Sequence, residues 1–336
     1  MAVDQTEITA PVALQRPDGT LDPAAVGWTR TPLHRTDLVG RVPRRWGRAK
    51  RWEYWAVLTP THVVGLTVSS LDYLGLTQLW VLDRVTGLEI DQVSIVPFAV
   101  GTHLPGTLGA GPATARTRGL AVRIDETPAG TRLRAATARV RLDLTVPLPP
   151  GHERLGVVVP WDDHRFQYTV KDVARPARGT LRVDALRHPV DLDASWATLD
   201  HGRGYWPREL AWNWGFGAGV VDGRTVGLQV GGRWTDGTGS TENALVVDGR
   251  LHKIREELVW DWTPGAWTEP WHVRGATADL TFTPFHDRVS STDAGLVRSS
   301  THQCFGHWSG WVLDASGDRQ SVDGLVGSAE DVEQRW

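Results

Sequence analysis

The stretch "WNWGFGAGVVDGRTVGLQVGG", residues 212–232, decides the fold. Asp222-Gly223 separates two runs of alternating polarity, and Asp-Gly is the dipeptide that a two-residue type I′ turn favours, because both central residues need positive φ. A period of two then points Trp212, Trp214 and Phe216 to one side of the first strand and Asn213, Gly215, Gly217 and Gly219 to the other. On the return strand Val226, Leu228 and Val230 share one side, and Gly227, Gln229 and Gly231 the other. A surface paved with glycine implies close approach of another backbone or room for a guest. The plainer alternative makes the aromatic face barrel core and the glycine face a tight bend.

The same signals run outward from this hairpin. Asp248-Gly249 sits between "ENALVV" and "RLHKIREELVWDW", and "RWEYWAVLTP", "HVVGLTVSS" and "LTQLWVLDRVTGLEI" are successive strands of the first half. The Gly-, Pro- and Thr-rich "VGTHLPGTLGAGPATARTRG" is expected to be a long loop. Convincing helical stripes are scarce, so the class is all-β. About eight strands per half, closed to hide their edges, predict two antiparallel barrels packed together. The expected organisation is an N-terminal extension over 1–40, a first unit over 41–190 and a second over 191–336, with the join near residues 185–198.

Composition narrows the function. The 336 residues hold one cysteine, Cys304, which excludes an internal disulfide framework and a cysteine-based metal site. The N-terminal residues lack an apolar run of signal-peptide length, and no stretch reaches about 18 consecutive apolar residues, so a cytoplasmic protein with no membrane span is expected. A net charge of −3 from 36 basic and 39 acidic residues, mixed along the chain, argues against a nucleic-acid partner. His302 and His307 fall on opposite sides of a strand with no third ligand, so no metal is expected. No cofactor is expected either, because dinucleotide and phosphate-binding loops are absent, and the lack of a nucleophile elbow disfavours a serine hydrolase.

The densest aromatic segment is "HGRGYWPRELAWNWG", in a chain whose 18 Trp outnumber its 6 Phe and 4 Tyr together. Asp200, His201 and Arg203 crowd against Tyr205 and Trp206 just before Pro207, a costly place for charge unless it is paired or used. An Arg203 fork on Asp200 is the expected pairing. Asn213 follows on the next strand. Glu242-Asn243 opens a strand at a barrel rim, with a solvated loop end as the alternative. Tyr168 and Lys171 fall on opposite faces of one strand, and Lys171 is expected to be paired surface charge.

"LDHGRGYWPRELAWNWGFGAG" resembles the Asp-Trp-Gly-Arg-Gly-x-Trp-Pro segment of the bacterial family called domain of unknown function 2804, with His201 where that family usually has tryptophan. "FQYTVKD", "TENALVVDGRLHKI", "DLTFTPFHDR", "HQCFGHWSGWV" and "GSAEDVEQRW" match as well, so the resemblance runs from about residue 40 to the end. It implies a double lipocalin-like barrel similar to the attH-like, carotenoid hydratase and tocopherol cyclase group, whose members act on hydrophobic small molecules by acid-base chemistry without a redox cofactor.

Two function classes follow. One is a cofactor-independent acid-base enzyme, a hydratase, cyclase or isomerase, working on an apolar or aromatic small molecule in a Trp-lined barrel cavity. Asp200 and Glu242 would be catalytic there, and His201, Arg203, Tyr205, Trp206, Asn213, Asn243 and Tyr168 would bind the ligand. Burial would raise a carboxyl pKa toward about 6 to 7 and make it a usable acid. The other class is a carrier or sensor in which the same polar groups orient an apolar ligand. Oligomeric state and substrate identity stay open.

Overall fold

The structure is a computed structural model that describes residues 5–293 and 298–335. Its regular elements are β-strands, with two three-residue 3-10 turns at Pro23–Ala25 and Pro43–Arg45. No helix is long and apolar enough to cross a membrane.

The first unit is built from two sheets packed face to face. An eight-stranded sheet runs in the order Trp28–Thr29, Leu155–Pro160, Phe166–Pro176, Trp196–Tyr205, Ala49–Leu58, His62–Ser70, Leu74–Asp83 and Glu89–Pro97. Against it lies a seven-stranded sheet, in chain order from Thr102–His103 to Val140–Pro147 and completed by the hairpin of Arg178–Val183 with Leu186–Val190. Strict alternation builds the second sheet: Val140, Leu142, Leu144 and Val146 are buried, whereas Arg141, Asp143 and Thr145 are exposed. Their inward faces meet Trp55, Leu66 and Leu79 in one apolar core. Residues 100–119, expected to be loop, contain the two short strands Thr102–His103 and Ala113–Thr117, the latter pairing with Leu120–Thr127. Leu14, Leu21, Ala25 and Val39 of the N-terminal extension pack on Val158, Phe166, Tyr168 and Tyr205.

The second unit is one curled ten-stranded sheet, from Arg250–Lys253 at one edge through Arg224–Gly232, Glu209–Val221, Leu325–Arg335, Arg298–Leu313 and Ala278–Asp293 to Val259–Asp261 at the other. Both Asp-Gly hairpins form as expected, with positive φ at Asp222, Gly223, Asp248 and Gly249. Trp196–Tyr205, placed by the expected boundary in the second unit, pairs between Phe166–Pro176 and Ala49–Leu58 of the first.

The register of the opening hairpin overturns the glycine-paved surface. Trp214 faces Gly231 and Ala218 faces Gly227, whereas Gly215 faces Val230 and Gly217 faces Leu228. Gly215, Gly217 and Gly219 look into the second unit, where a Cβ on Gly215 would stand 2.6 Å from Trp308 Cζ2 and one on Gly217 would stand 2.8 Å from Trp308 Cδ1. The guest is therefore the chain's own indole, whose Nε1 donates to the Phe216 carbonyl at 2.9 Å. Trp214 and Phe216 look the other way. With Phe305 and Val246 they pack on Trp80, Leu82 and Val63 of the first unit, forming an apolar seam between the two.

The units approach closely where Phe166–Pro176 bulges. Its register with Trp196–Tyr205 shifts between Asp172 and Arg175, with Ala174 at φ 58°, and this turns Val173 and Ala174 onto Gly227.

Candidate functional site

Phe166–Pro176 is buried at every residue but its last, because the N-terminal extension covers one face and the second unit the other. The polar members of that strand are therefore interior groups that need partners. Lys171 stands directly across from Asp200 on the neighbouring strand. Its Nζ lies 3.0 Å from Asp200 Oδ1 and 3.1 Å from Glu242 Oε2, and 4.3 Å from the centre of the Trp214 ring. Burial works against the ammonium charge, but Asp200 and Glu242 outweigh it and hold the Lys171 pKa above its ordinary value.

Three carboxyl groups gather around this lysine. Thr169 Oγ1 donates to Asp200 Oδ1 at 3.1 Å. Glu242 tucks over Gly231, where any side chain would collide with it, and accepts from Trp234 Nε1 at 2.6 Å. Glu330, cross-strand from Trp214, accepts from Trp212 Nε1 at 2.8 Å and from Gln303 Nε2 at 3.1 Å. The amide oxygen of Gln303 in turn receives Arg288 Nη1 at 2.9 Å and the Tyr54 hydroxyl at 3.3 Å.

Burial raises the Glu242 carboxyl pKa above its usual value, against the pull of Lys171. It pushes Glu330 further, to about 7, against the Trp212 hydrogen bond. The Tyr54 phenol is pushed up by burial to about 12. Burial thus makes Glu330 the proton carrier of this group near neutral pH. Exposure separates their roles. The Asp200 side chain keeps 15% of its surface and Glu330 keeps 8%, whereas Glu242 keeps 1% and is an interior anchor.

The open side is aromatic. Trp206 lies 5.2 Å from Trp52, 5.6 Å from Trp212 and 6.3 Å from Trp161, ring centre to ring centre, and all four are partly exposed. Gly202 permits this, since a Cβ there would fall inside the Trp52 ring.

Of the residues expected from sequence, Asp200 and Glu242 come together here through Lys171, and Trp206 lies among Trp52, Trp161 and Trp212 on the open side. The others go elsewhere. Asp200 does not meet Arg203: three residues apart on one strand, they point to opposite faces. Arg203 instead reaches Glu53 Oε1 at 3.3 Å and the carbonyls of Trp52 and Pro105. His201 is fully buried 3.7 Å from Glu53. Burial and the Arg203 charge press its pKa down to about 4, so the ring is neutral. Tyr168 stacks near His34 on that same face, and the Tyr205 hydroxyl takes the Gly40 amide at 3.0 Å. Asn213 donates to the Glu330 carbonyl, and Asn243 ties the Gly231 amide to the Glu256 carbonyl. Glu242, expected at a rim or a solvated loop end, is interior, and so is Lys171, expected on the surface. Sequence reasoning missed Glu330, Tyr54, Gln303 and Arg288.

The fold is all-β, two lipocalin-like barrel units packed together, with the polar cluster at their seam rather than inside either barrel. The sequence matches the family described as a domain of unknown function, DUF2804, over residues 5–336, and the chain belongs to that family. Among solved structures it is similar to kievitone hydratase from Nectria haematococca, at 12% identity and a TM-score of 0.51, covering 90% of this chain and 91% of that one. It is similar to CghA at 12% identity and a TM-score of 0.55, covering 86% and 88%. An attH-type protein from Nitrosomonas europaea aligns at 13% identity and a TM-score of 0.48, covering 86% and 92%. No curated protein matches the sequence.

Proposed function

We propose that the chain is a cofactor-independent acid-base enzyme of the hydratase, cyclase or isomerase class, acting on an apolar small molecule held against the seam tryptophans. The observation that carries this reading is Glu330, a carboxyl group with a pKa of about 7 beside Asp200, which Lys171 holds in an ion pair. A general acid works best when its pKa lies near the working pH. The fold shared with a hydratase supports the class of reaction.

In a hydration, Glu330 gives its proton to one carbon of a double bond while a water molecule adds to the other and passes a proton to Asp200. Glu330 ends as carboxylate and Asp200 as acid, and proton exchange with solvent restores both. A cyclisation or double-bond shift uses the same donor and acceptor without the water. Lys171 and Glu242 fix the field in which this happens, and Trp52, Trp206 and Trp212 supply the apolar wall.

The test is incubation of the wild type, Glu330→Gln and Asp200→Asn with a panel of terpenoid and phenylpropanoid alkenes in deuterated water, read by mass spectrometry. The expected result is addition of water, or deuterium at carbon, by the wild type and its loss in both variants. Equal incorporation by wild type and Glu330→Gln would overturn the reading.

A further inference from the structure

Beside the seam lies a pocket of about 370 Å³ between the segment that follows Pro43–Arg45 and the Trp206–Arg208 linker. Three rings line it, Trp46, Tyr73 and Trp206, and three cations, Arg48, Lys50 and Arg208, with no acidic side chain in the wall. Such a lining contrasts with surface arginines that are paired with carboxylates, among them Arg132 with Asp143, Arg139 with Asp184 and Arg224 with Asp248.

The nearby acid is committed to the backbone. Asp72 Oδ2 takes the amides of Gly47 at 2.9 Å and Ala49 at 3.3 Å, and its Oδ1 takes Arg51 Nη2 at 3.4 Å. Among the described residues neither Arg48 nor Arg208 has a carboxylate within 4.0 Å, and both are exposed. Lys50 Nζ lies 3.4 Å from the Tyr73 hydroxyl and 5.0 Å above its ring, in a residue that is 3% exposed. Burial lowers its pKa to about 8, with Asp72 opposing. An anion in the pocket would offset that burial.

Trp206 belongs to both places. It lines the pocket, and its ring stands 5.6 Å from Trp212, whose Nε1 donates to Glu330. We propose that the pocket is an anion subsite that takes the carboxylate of an apolar, ring-bearing acid on Arg48, Lys50 and Arg208, while the body of the molecule lies along Trp206 toward Asp200 and Glu330. This names the substrate class for the seam and rests on the reading of that seam as the reactive site. Guanidinium forks suit a planar carboxylate, and stacked rings suit an aromatic body.

The test compares 2-naphthoate with its neutral counterpart 2-naphthalenemethanol by calorimetry at pH 7, on the full chain. The wild type is expected to bind the acid at least about tenfold more tightly than the alcohol, the ratio that charge-assisted hydrogen bonds supply. Arg48→Ala with Arg208→Ala, both at exposed positions, should erase that preference and leave alcohol binding unchanged. Trp206→Ala should weaken both. A wild type that prefers naphthoate yet shows no turnover in the deuterated-water assay would retain this proposal while removing the reactive reading of the seam. Equal affinity for acid and alcohol, or a preference that survives removal of both arginines, would overturn it.

Discussion

Lys171 of the first unit and Trp214 of the second meet across the seam, the ammonium 4.3 Å from the ring centre. The same ammonium holds Asp200 from its own unit and Glu242 from the other. One buried cation thereby fixes the relative position of two barrels and the charge balance of the site between them. A buried pair that loses one partner leaves an uncompensated charge.

Lys171→Met is therefore expected to cost about 3 to 5 kcal/mol. Urea unfolding measures it. The double variant with Glu242→Gln, which also removes the more deeply buried of the two stranded carboxylates, should lose clearly less than Lys171→Met alone. Equal losses would mean that the lysine acts only through packing.

Glu330 gives the protein a defined pH response. Its pKa rises from the ordinary 4.5 to about 7 on folding, so the folded state keeps a proton that the unfolded chain has already released. Its contribution is fully present below pH 4.5 and is lost as pH rises through 7. The stability of Glu330→Gln relative to wild type should therefore increase between pH 4.5 and 7, by on the order of 3 kcal/mol, and level off above. Turnover, if Glu330 is the acid, should fall over the upper part of that window. A difference that does not vary with pH would contradict the assignment.

Trp212→Phe tests the hydrogen bond that opposes this shift. Without the indole Nε1 the carboxylate form loses a donor, and the Glu330 transition should move upward by on the order of one pH unit, the equivalent of about 1.4 kcal/mol. Titration followed by carboxyl infrared absorption would show it, and a transition that moves down would refute the role.

Gly227→Val addresses the contact between units. A Cβ at Gly227 would stand 2.7 Å from Val173 Cγ2 and 2.8 Å from Ala174 Cβ. Overpacking there should cost about 1 to 3 kcal/mol. By letting water into the seam it should also bring the Glu330 transition back toward the usual carboxyl range. A Glu330 transition that stays near pH 7 would show that the seam tolerates the added bulk.

The turn dipeptides carried the fold into view, because Asp222-Gly223 and Asp248-Gly249 admit few alternatives. Even the true facing was available: a two-residue turn pairs even positions with odd ones, so Trp214 had to share a face with Gly231 and not with Val230. The site was half legible. Asp200 stood out as an acid among aromatics and Glu242 as an acid opening a strand, but Lys171 did not, since alternation equates polar with wet only when one face of a strand is open. Glu330 has no local mark that separates it from Glu333, which is largely exposed on the same strand. Arg203 chose Glu53, 150 positions away in sequence, and no spacing rule reaches that far.

The strand Glu209–Val221 carries a further consequence. Gly215 and Gly217 make room for Trp308, while Trp214 and Phe216 on the opposite face form the seam. Evolution can therefore vary the two faces on separate terms. Under the proposed function, changes at Trp212 would alter the apolar wall of the seam, whereas Gly215 and Gly217 are held by the volume of the Trp308 indole. A protein built this way can acquire new chemical tastes while its architecture stands still.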